Sequence, residues 1–184
     1  STPTCTVAAL SGATHSAATV TNTDTGVYRT AITATHTANL DTLTLTWTGT
    51  ADFVQVYTQT VAVVGAHYAT VPEIRARRGL DSTSKFTLDD VQRARDAWSD
   101  RCETAAGQAF VPRYSLERLA PTGRSSIALN CTRARTIRTV TIDGETQTVG
   151  DFAVSDSGIL EWDNGAFSCT EPYGIVVGYE HGWD

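Results

Sequence analysis

The feature that most constrains the fold is the last third of the chain, where short alternating segments are separated by glycine-containing turns. Residues 133–184 read RARTIRTVTIDGETQTVGDFAVSDSGILEWDNGAFSCTEPYGIVVGYEHGWD. The Asp143-Gly144 pair, between two alternating runs, is a strong signal for a two-residue hairpin. The pattern predicts a β-rich unit over residues 114–184, with strands at roughly 125–130, 136–142, 145–149, 159–162 and 174–180.

A second β-rich segment, residues 1–65, is rich in threonine and almost uncharged. From residue 42 to residue 48 it alternates strictly, so that Leu43, Leu45 and Trp47 share one face and threonines share the other. This pattern is typical of a half-buried strand. Further strands are predicted over residues 26–32 and 53–64. Short strands at this spacing predict a small β-sandwich of immunoglobulin-like type.

Residues 66–113 carry helix signals instead. Thr70-Val71-Pro72-Glu73 is a capping box with proline in the first turn, and it predicts a helix over residues 70–79. Thr87 caps a second helix over residues 88–106, which ends at Gly107. Apolar residues recur at spacings of three or four and predict its buried stripe: Leu88, Val91, Ala94, Trp98, Cys102 and Ala105. On the exposed side, we expect Asp89 and Arg93 to pair.

Together these segments predict an α+β chain of two domains. Residues 1–65 would form the small immunoglobulin-like β-sandwich. Residues 66–184 would form a helical domain, with helices 70–79 and 88–106, that continues into the β-rich unit 114–184. The composition supports a folded chain, because 41% of the residues are hydrophobic and 18% are charged.

The charge balance argues against tight binding of nucleic acid. Fourteen Lys and Arg face twenty Asp and Glu, which gives a net charge of −6, whereas binding to phosphates needs clustered basic residues. No apolar run approaches the ~20 residues of a membrane span. The first residues are rich in threonine and uncharged, so they do not resemble a signal peptide.

Four cysteines lie far apart in the sequence, and none has the spacing of a zinc site. Cys102 falls on the predicted apolar stripe, which favours a buried thiol. For Cys131 and Cys169, a disulfide remains open as the alternative to two free thiols.

Few residues suggest catalysis. Glu161 and Asp163 share one face of a strand beside Trp162, but residues two apart usually lie too close together for the two-sided attack of a glycosidase. His181 follows a glutamate and could act as an acid, a base or a metal ligand, yet no second ligand lies close in sequence. Ser84 and Ser125-Ser126 lack the context of a nucleophile elbow. We therefore expect no catalytic residues, no metal, no cofactor and no enzymatic activity.

The arginines of the last third allow three interpretations. Arg133, Arg135 and Arg138 could form a solvated strand face, pair with an acidic surface on a neighbouring subunit, or contact nucleic acid. Among the tryptophans, Trp98 is predicted to lie in the core. The other three suit either a core or an interface: Trp47, Trp162 and Trp183.

The order of these parts resembles a known class of virion protein. The two helices are followed by an arginine-rich strand and then by regularly punctuated segments: Thr139-Val140-Thr141-Ile142-Asp143-Gly144, Asp151-Phe152-Ala153-Val154, Ser157-Gly158-Ile159-Leu160 and Ile175-Val176-Val177-Gly178-Tyr179-Glu180-His181-Gly182. In this order the chain resembles the head-to-tail adaptor (connector) proteins of long-tailed double-stranded DNA phages, particularly those that infect actinobacteria. Its start is similar to an immunoglobulin-like domain that some of them carry in front.

The resemblance implies a non-enzymatic structural protein of the virion neck, assembled in the host cytoplasm. Such adaptors form a ring, usually of twelve copies, below the portal. The ring extends the DNA channel and docks the next neck or tail protein, while genomic DNA passes without specific binding and no membrane is involved. The residues implied at interfaces are Arg133, Arg135, Arg138, Tyr179, His181 and Trp183.

Two further expectations accompany this resemblance. Family members commonly continue after the final strand into a helix that engages the portal, whereas this sequence stops at Asp184, so the mode of portal attachment is open. The alternative function is a secreted or surface-displayed immunoglobulin-like module that binds a glycan or a protein. A hydrolase using Glu161, Asp163 or His181 is the third hypothesis.

Overall fold

The computed structural model describes residues 2–50, 54–77 and 79–183. Phe53, where one predicted strand begins, and the terminal Asp184 lie outside these residues. Within them the chain is mainly β, with four sheets and two α-helices. Neither of these helices combines the length and the hydropathy that a membrane crossing requires.

The N-terminal part contains one antiparallel sheet and a separate hairpin. The sheet has the order β1-β4-β5, formed by β1 (Thr4–Ala9), β4 (Asp41–Thr50) and β5 (Val54–Val63). The hairpin pairs β2 (Val20–Asp24) with β3 (Val27–Thr30). As the alternation predicted, Leu43 and Leu45 are buried, and they pack with Cys5, Val7 and Ala18 in a small core.

The two helices lie between the β-rich parts of the chain. They are α1 (Val71–Arg75) and α2 (Leu88–Ala106). Both predicted caps are present, since Thr70 and Thr87 each form a capping box with the acidic residue three positions later. Gly107 ends α2 in the left-handed conformation, with φ 66°, which glycine adopts without strain.

The C-terminal part contains two sheets. A four-stranded sheet in the order β6-β12-β8-β9 is built from β6 (Arg113–Leu119), β8 (Ala134–Ile142), β9 (Glu145–Thr146) and β12 (Ile175–His181). A three-stranded sheet in the order β10-β11-β7 is built from β7 (Ser126–Ala128), β10 (Phe152–Val154) and β11 (Ile159–Trp162). A 3-10 helix (Val149–Asp151) precedes β10.

The core of this part draws residues from both sheets. Leu160 of the smaller sheet and Val140, Ile175 and Val177 of the larger sheet are fully buried in one cluster, together with Phe167 from a connecting segment. The Asp143-Gly144 hairpin is confirmed, because both residues have positive φ (50° and 85°) and join β8 to β9.

The predicted fold class is wrong. Residues 66–184 do not form a helical domain, because α1 ends at Arg75, α2 is the other described helix, and strands make up most of the remainder. The N-terminal part is not a sandwich but a three-stranded sheet with a separate hairpin. The prediction missed β1, β2, β6 and β10, and charged residues such as Glu117 and Arg118 hide the alternation of β6.

The cysteines are all free thiols, so Cys131 and Cys169 are not joined. Cys102 is half-buried and not in a core. The buried cysteine is Cys5, and its burial raises the pKa of the thiol. No disulfide therefore joins any two of the four cysteines in this fold.

Candidate protein-docking site

Helix α2 buries only part of the apolar stripe that its sequence predicts. Val91 and Ser99 are its buried residues, while Leu88 is 52% and Trp98 is 58% exposed. The predicted apolar stripe therefore faces outwards along much of its length. An exposed tryptophan on a helix is typical of a contact surface, because tryptophan dominates the energetics of protein interfaces.

The polar surface against which α2 packs explains why much of its apolar stripe is exposed. Arg113 on β6 pairs with Glu103 of α2 at 2.8 Å, and the Tyr68 hydroxyl donates to the same carboxylate at 3.0 Å. The side chain of Arg95 is only 12% exposed and pairs with Asp96. Because this surface is polar, α2 packs polar side chains against it, and the face that carries Trp98 stays in solvent.

The exposed face of α2 and α1 together form an open apolar groove. Its volume is about 580 Å³, and its lining is largely hydrophobic, including Tyr68, Ile74, Leu80, Phe86, Ala94 and Trp98. The Tyr68 ring meets Trp98 edge-on, with centroids 6.0 Å apart. The groove has the apolar, aromatic lining that suits a protein ligand.

Several contacts hold this groove in a fixed shape. Both helices are capped, and the Arg75 guanidinium donates to the carbonyl of Phe86 at 3.1 Å, which ties α1 to the segment before α2. The Thr87 hydroxyl holds the pKa of Asp90 below its usual value. A preformed groove loses little conformational freedom when it binds a partner.

Strand β5 exposes apolar side chains on both of its faces, because Val54 and Val56 point to one side of the sheet and Tyr57 to the other. Val54, Val56 and Tyr57 are between 62% and 65% exposed, and residues 54–63 contain no charged side chain. The opposite edge of the same sheet is covered, because β1 bridges to Thr14 and Ala18. Among the described residues no strand covers the free edge of β5. Unpaired backbone groups on such an edge can bind another chain.

The three arginines predicted at an interface lie in different environments. Arg138 pairs with Glu180 of the adjacent strand, and Arg133 stacks on the Trp183 ring at 3.8 Å while it approaches Asp156 at 3.5 Å. Arg135 lies at an exposed position of β8. Trp183 is 41% exposed. The Arg133–Trp183 stack and Arg135 remain candidates for contact with a partner.

The other two predicted interface residues are buried in β12. Tyr179 has no exposed surface, and its hydroxyl donates to the Glu117 carboxylate and accepts from the Cys131 backbone N–H at 3.2 Å. His181 is 7% exposed and lies 3.0 Å from the Ser115 hydroxyl. Burial and the nearby Arg113 lower the pKa of His181. Both side chains are held inside the fold and present almost no surface to a partner.

The carboxylates considered for catalysis do not converge on a pocket. Glu161 is exposed on β11, opposite Ala153 and Ser126, and the Asp163 backbone N–H donates to Asp151 at 3.1 Å. Between them Trp162 packs on Phe152 and Phe167. In the described part of the chain, no group of three or more His, Cys, Asp or Glu side chains is placed to hold a metal ion.

Comparisons with protein-family models, with curated proteins and with solved structures found no match to this chain. The groove was missed by the sequence reasoning, which placed Trp98 in a core. The signal that could have found it is the position of Tyr68 and Phe86 just before the two capped helices, where aromatic side chains from both loops can meet the helix face.

Proposed function

We propose that this chain is a structural protein of a phage virion, a head-to-tail adaptor that forms a ring below the portal. In this role it extends the DNA channel and docks the next neck or tail protein. The observation that carries the proposal is the preformed apolar groove between α1 and α2, with Trp98 exposed in it. A ring subunit needs such protein-binding surfaces, and it needs no catalytic site.

The C-terminal sheets supply the rigidity that a channel wall requires. Strand β12 pairs along its length with β6 on one side and β8 on the other. Gly178 allows the Tyr114 side chain to cross this strand, since a Cβ atom at that position would lie 2.4 Å from the tyrosine hydroxyl. The closing segment that contains Gly178, Tyr179 and His181 is also the part of the sequence that carries the resemblance to adaptors.

The acidic balance of the chain fits the passage of DNA through a ring. With a net charge of −6 per copy, a closed ring would carry a strong negative field. Such a field repels the phosphate backbone and keeps it from adhering to the wall. The proposal accordingly includes passage of genomic DNA without specific binding.

The proposal is tested by mixing the purified chain with the portal protein of the same phage and imaging the products by negative-stain electron microscopy. We expect rings stacked coaxially on the portal, with a mass that native mass spectrometry resolves into about twelve copies, a closed cyclic assembly. A chain that stays monomeric beside intact portals, and leaves their images unchanged, contradicts the proposal.

A surface-displayed binding module is the second candidate, and one observation favours it. Trp47 on β4 lies directly opposite Tyr57 on β5, and Tyr57 is 65% exposed. Aromatic side chains side by side on a sheet offer a flat apolar platform for a ligand. Binding on a glycan array that is lost in Tyr57→Ala would favour this function over the adaptor.

A further inference from the structure

We infer that strand β5 is the docking edge for an extended, basic segment of another protein, which adds to the N-terminal sheet as a fourth strand. The sheet has the order β1-β4-β5, so the added segment would lie beside β5 on the side away from β4. This site is not the α1–α2 groove, and the inference does not rest on the adaptor role.

Strand β5 lacks the features by which natural proteins keep an edge strand from pairing. Such edges are usually short, charged, interrupted by a bulge or a proline, or covered by another element. Strand β5 is ten residues long, contains no charged residue and no proline, and pairs with β4 at successive positions without a bulge. Its row of backbone groups on the side away from β4 is therefore a template for an added strand.

A cleft of about 550 Å³ runs along the second half of this edge. In the described part of the chain, residues 59–62 of β5 line the cleft and no residue of β4 does. Because successive side chains of a strand point to opposite faces, lining by four consecutive residues places the cleft along the edge of β5 and not over one face of the sheet. The volume lies within the range of roughly 300–1,000 Å³ that is typical of ligand sites.

Helix α2 forms the opposite wall of this β5–α2 cleft and gives it an acidic surface. Asp96 and Asp100 line the cleft, and their side chains are 58% and 71% exposed. The two arginines of the lining are turned inwards, since Arg95 is 12% and Arg113 is 25% exposed. Arg113 is also paired with Glu103 at 2.8 Å. The charge that the cleft presents to a ligand is therefore negative.

Backbone geometry and charge together define the occupant. A free sheet edge binds an extended backbone, because it offers N–H and C=O groups in the spacing of a strand. The exposed carboxylates favour Lys or Arg on the part of the segment that lies beside α2. The net charge of −6 attracts a basic partner and disfavours both a second copy of this chain and nucleic acid. The occupant is thus a basic, extended segment of a different protein.

The position of the cleft predicts the direction in which the segment runs. Antiparallel pairing is slightly more stable per residue than parallel pairing and is the more common arrangement. The cleft lies beside the second half of β5, so the basic residues of an antiparallel segment belong in its first half. At about 3.4 Å per residue, a segment that covers all ten residues of β5 is ~34 Å long.

Three synthetic peptides test the charge and the direction. Each has the ten-residue length of β5, blocked ends and a fluorophore, and each alternates valine with threonine. The first carries two adjacent lysines in its first half, one on each face; the second carries them in its last half; the third carries two glutamates in its first half. By fluorescence anisotropy with up to about 1 mM protein, the first should bind at least about tenfold more tightly than either of the others. Any other order, or no binding of the first peptide, overturns the inference.

Backbone methylation tests whether the contact is the addition of a strand. Successive N–H groups of an extended strand point to opposite edges, so N-methyl groups at every second residue of the first peptide block one edge alone. We expect one of the two alternate sets to weaken binding at least about tenfold and the other set to retain it. Loss of binding with both sets, or with neither set, overturns the inference.

Matched removals of charge locate the lysines of the bound peptide. Asp96→Asn combined with Asp100→Asn removes the exposed carboxylates of the cleft, whereas Asp81→Asn combined with Asp89→Asn removes two charges outside it. All four positions are exposed, so the variants retain the fold. The first pair should weaken binding of the first peptide about tenfold, to the level of the second peptide, and the control pair should match the wild type. Equal effects of the two pairs overturn the inference.

Amide hydrogen exchange identifies the bound surface and tests the other occupants. The first peptide should slow exchange within residues 54–63 of β5 and leave residues 71–75 of α1 unchanged. Protection in α1 without protection in β5 would place the peptide in the α1–α2 groove and overturn the inference. Protection of β5 that increases with protein concentration in the absence of peptide would identify a second copy as the occupant, and it would overturn the inference as well.

Discussion

At the scale of single residues, the Tyr179 hydroxyl joins three parts of the chain that are distant in sequence. It donates to Glu117 on β6 and accepts from the Cys131 backbone before β8, and the residue itself is fully buried. Burial and the hydrogen bond to Glu117 raise the pKa of this phenol far above its usual value. It therefore remains a neutral hydrogen-bond donor throughout the physiological range.

The change Tyr179→Phe should destabilise the protein by about 1–3 kcal/mol, because the Glu117 carboxylate and the Cys131 N–H both lose a buried partner. The measurement is the free energy of unfolding in urea. Tyr57→Phe is the control, since this tyrosine is 65% exposed and its hydroxyl should contribute less than about 0.5 kcal/mol. Equal effects of the two changes would contradict this role for Tyr179.

His181 makes stability depend on pH in a defined direction. Its folded-state pKa is lowered from 6.5 by burial and by Arg113, although Glu117 and Glu103 oppose that shift. The unfolded chain thus binds the proton more readily, so the contribution of His181 is complete above pH 6.5 and is lost as pH falls below that value. We expect the free energy of unfolding to decrease between pH 7 and pH 5, roughly the range of histidine titration.

His181→Gln should flatten this dependence, whereas His67→Gln should change it less. Burial also lowers the pKa of His67, but this residue is exposed on the surface. The measurement is urea unfolding at a series of pH values in a single buffer system. A slope that survives in His181→Gln would show that other groups control the acid sensitivity.

At the scale of elements, the helices and the turns follow local signals closely, while the strands do so less well. The caps at Thr70 and Thr87 and the stop at Gly107 are where the sequence places them. The ion pair expected between Asp89 and Arg93 is instead made by Asp90 and Arg93 at 2.8 Å. Helix α1 is shorter than expected, since its last residue is Arg75.

Thr87→Ala should loosen the first turn of α2, because the hydroxyl accepts from the Asp90 N–H at 3.2 Å. Losing an N-cap of this kind costs about 0.5–2 kcal/mol. The readout is hydrogen exchange at the amides of residues 88–91, which should accelerate. Thr104→Ala, on an exposed position of the same helix, should leave these amides unchanged, and equal acceleration in both variants would contradict the cap.

At the scale of the whole molecule, the buried residues fall into two separate clusters. One contains Leu43 and Leu45 between the N-terminal strands, and the other contains Leu160 and Val177 between the C-terminal sheets. A backbone hydrogen bond from Gly65 to Pro112, 3.0 Å long, links the two regions. The predicted domain boundary near residue 65 stays a prediction, although the division of the cores makes it testable.

Matched cavities in the two cores provide that test. Leu45→Ala and Leu160→Ala each remove a buried leucine and should cost about 2–5 kcal/mol. By native-state hydrogen exchange, we expect Leu45→Ala to lower protection in β1, β4 and β5, and Leu160→Ala to lower it in the C-terminal sheets. If each variant lowers protection equally in both regions, the chain unfolds as one cooperative unit.

The sequence by itself determined the features that depend on neighbours within one turn. These are the two helix caps, the Asp143-Gly144 hairpin and the inward faces of Leu43 and Leu45. Each is decided by the conformational preference of a few adjacent residues. Most of the turns, both helices and the inner face of β4 could therefore be predicted from the sequence alone.

Only the tertiary structure decided which face of α2 is buried and where the docking groove lies. The periodicity of α2 pointed to Trp98, but the surface offered by Arg113 and Tyr68 binds Glu103 instead. The bond between Tyr179 and Glu117 likewise joins residues 62 positions apart. Burial depends on the surface that the rest of the chain presents, and no local pattern encodes that surface.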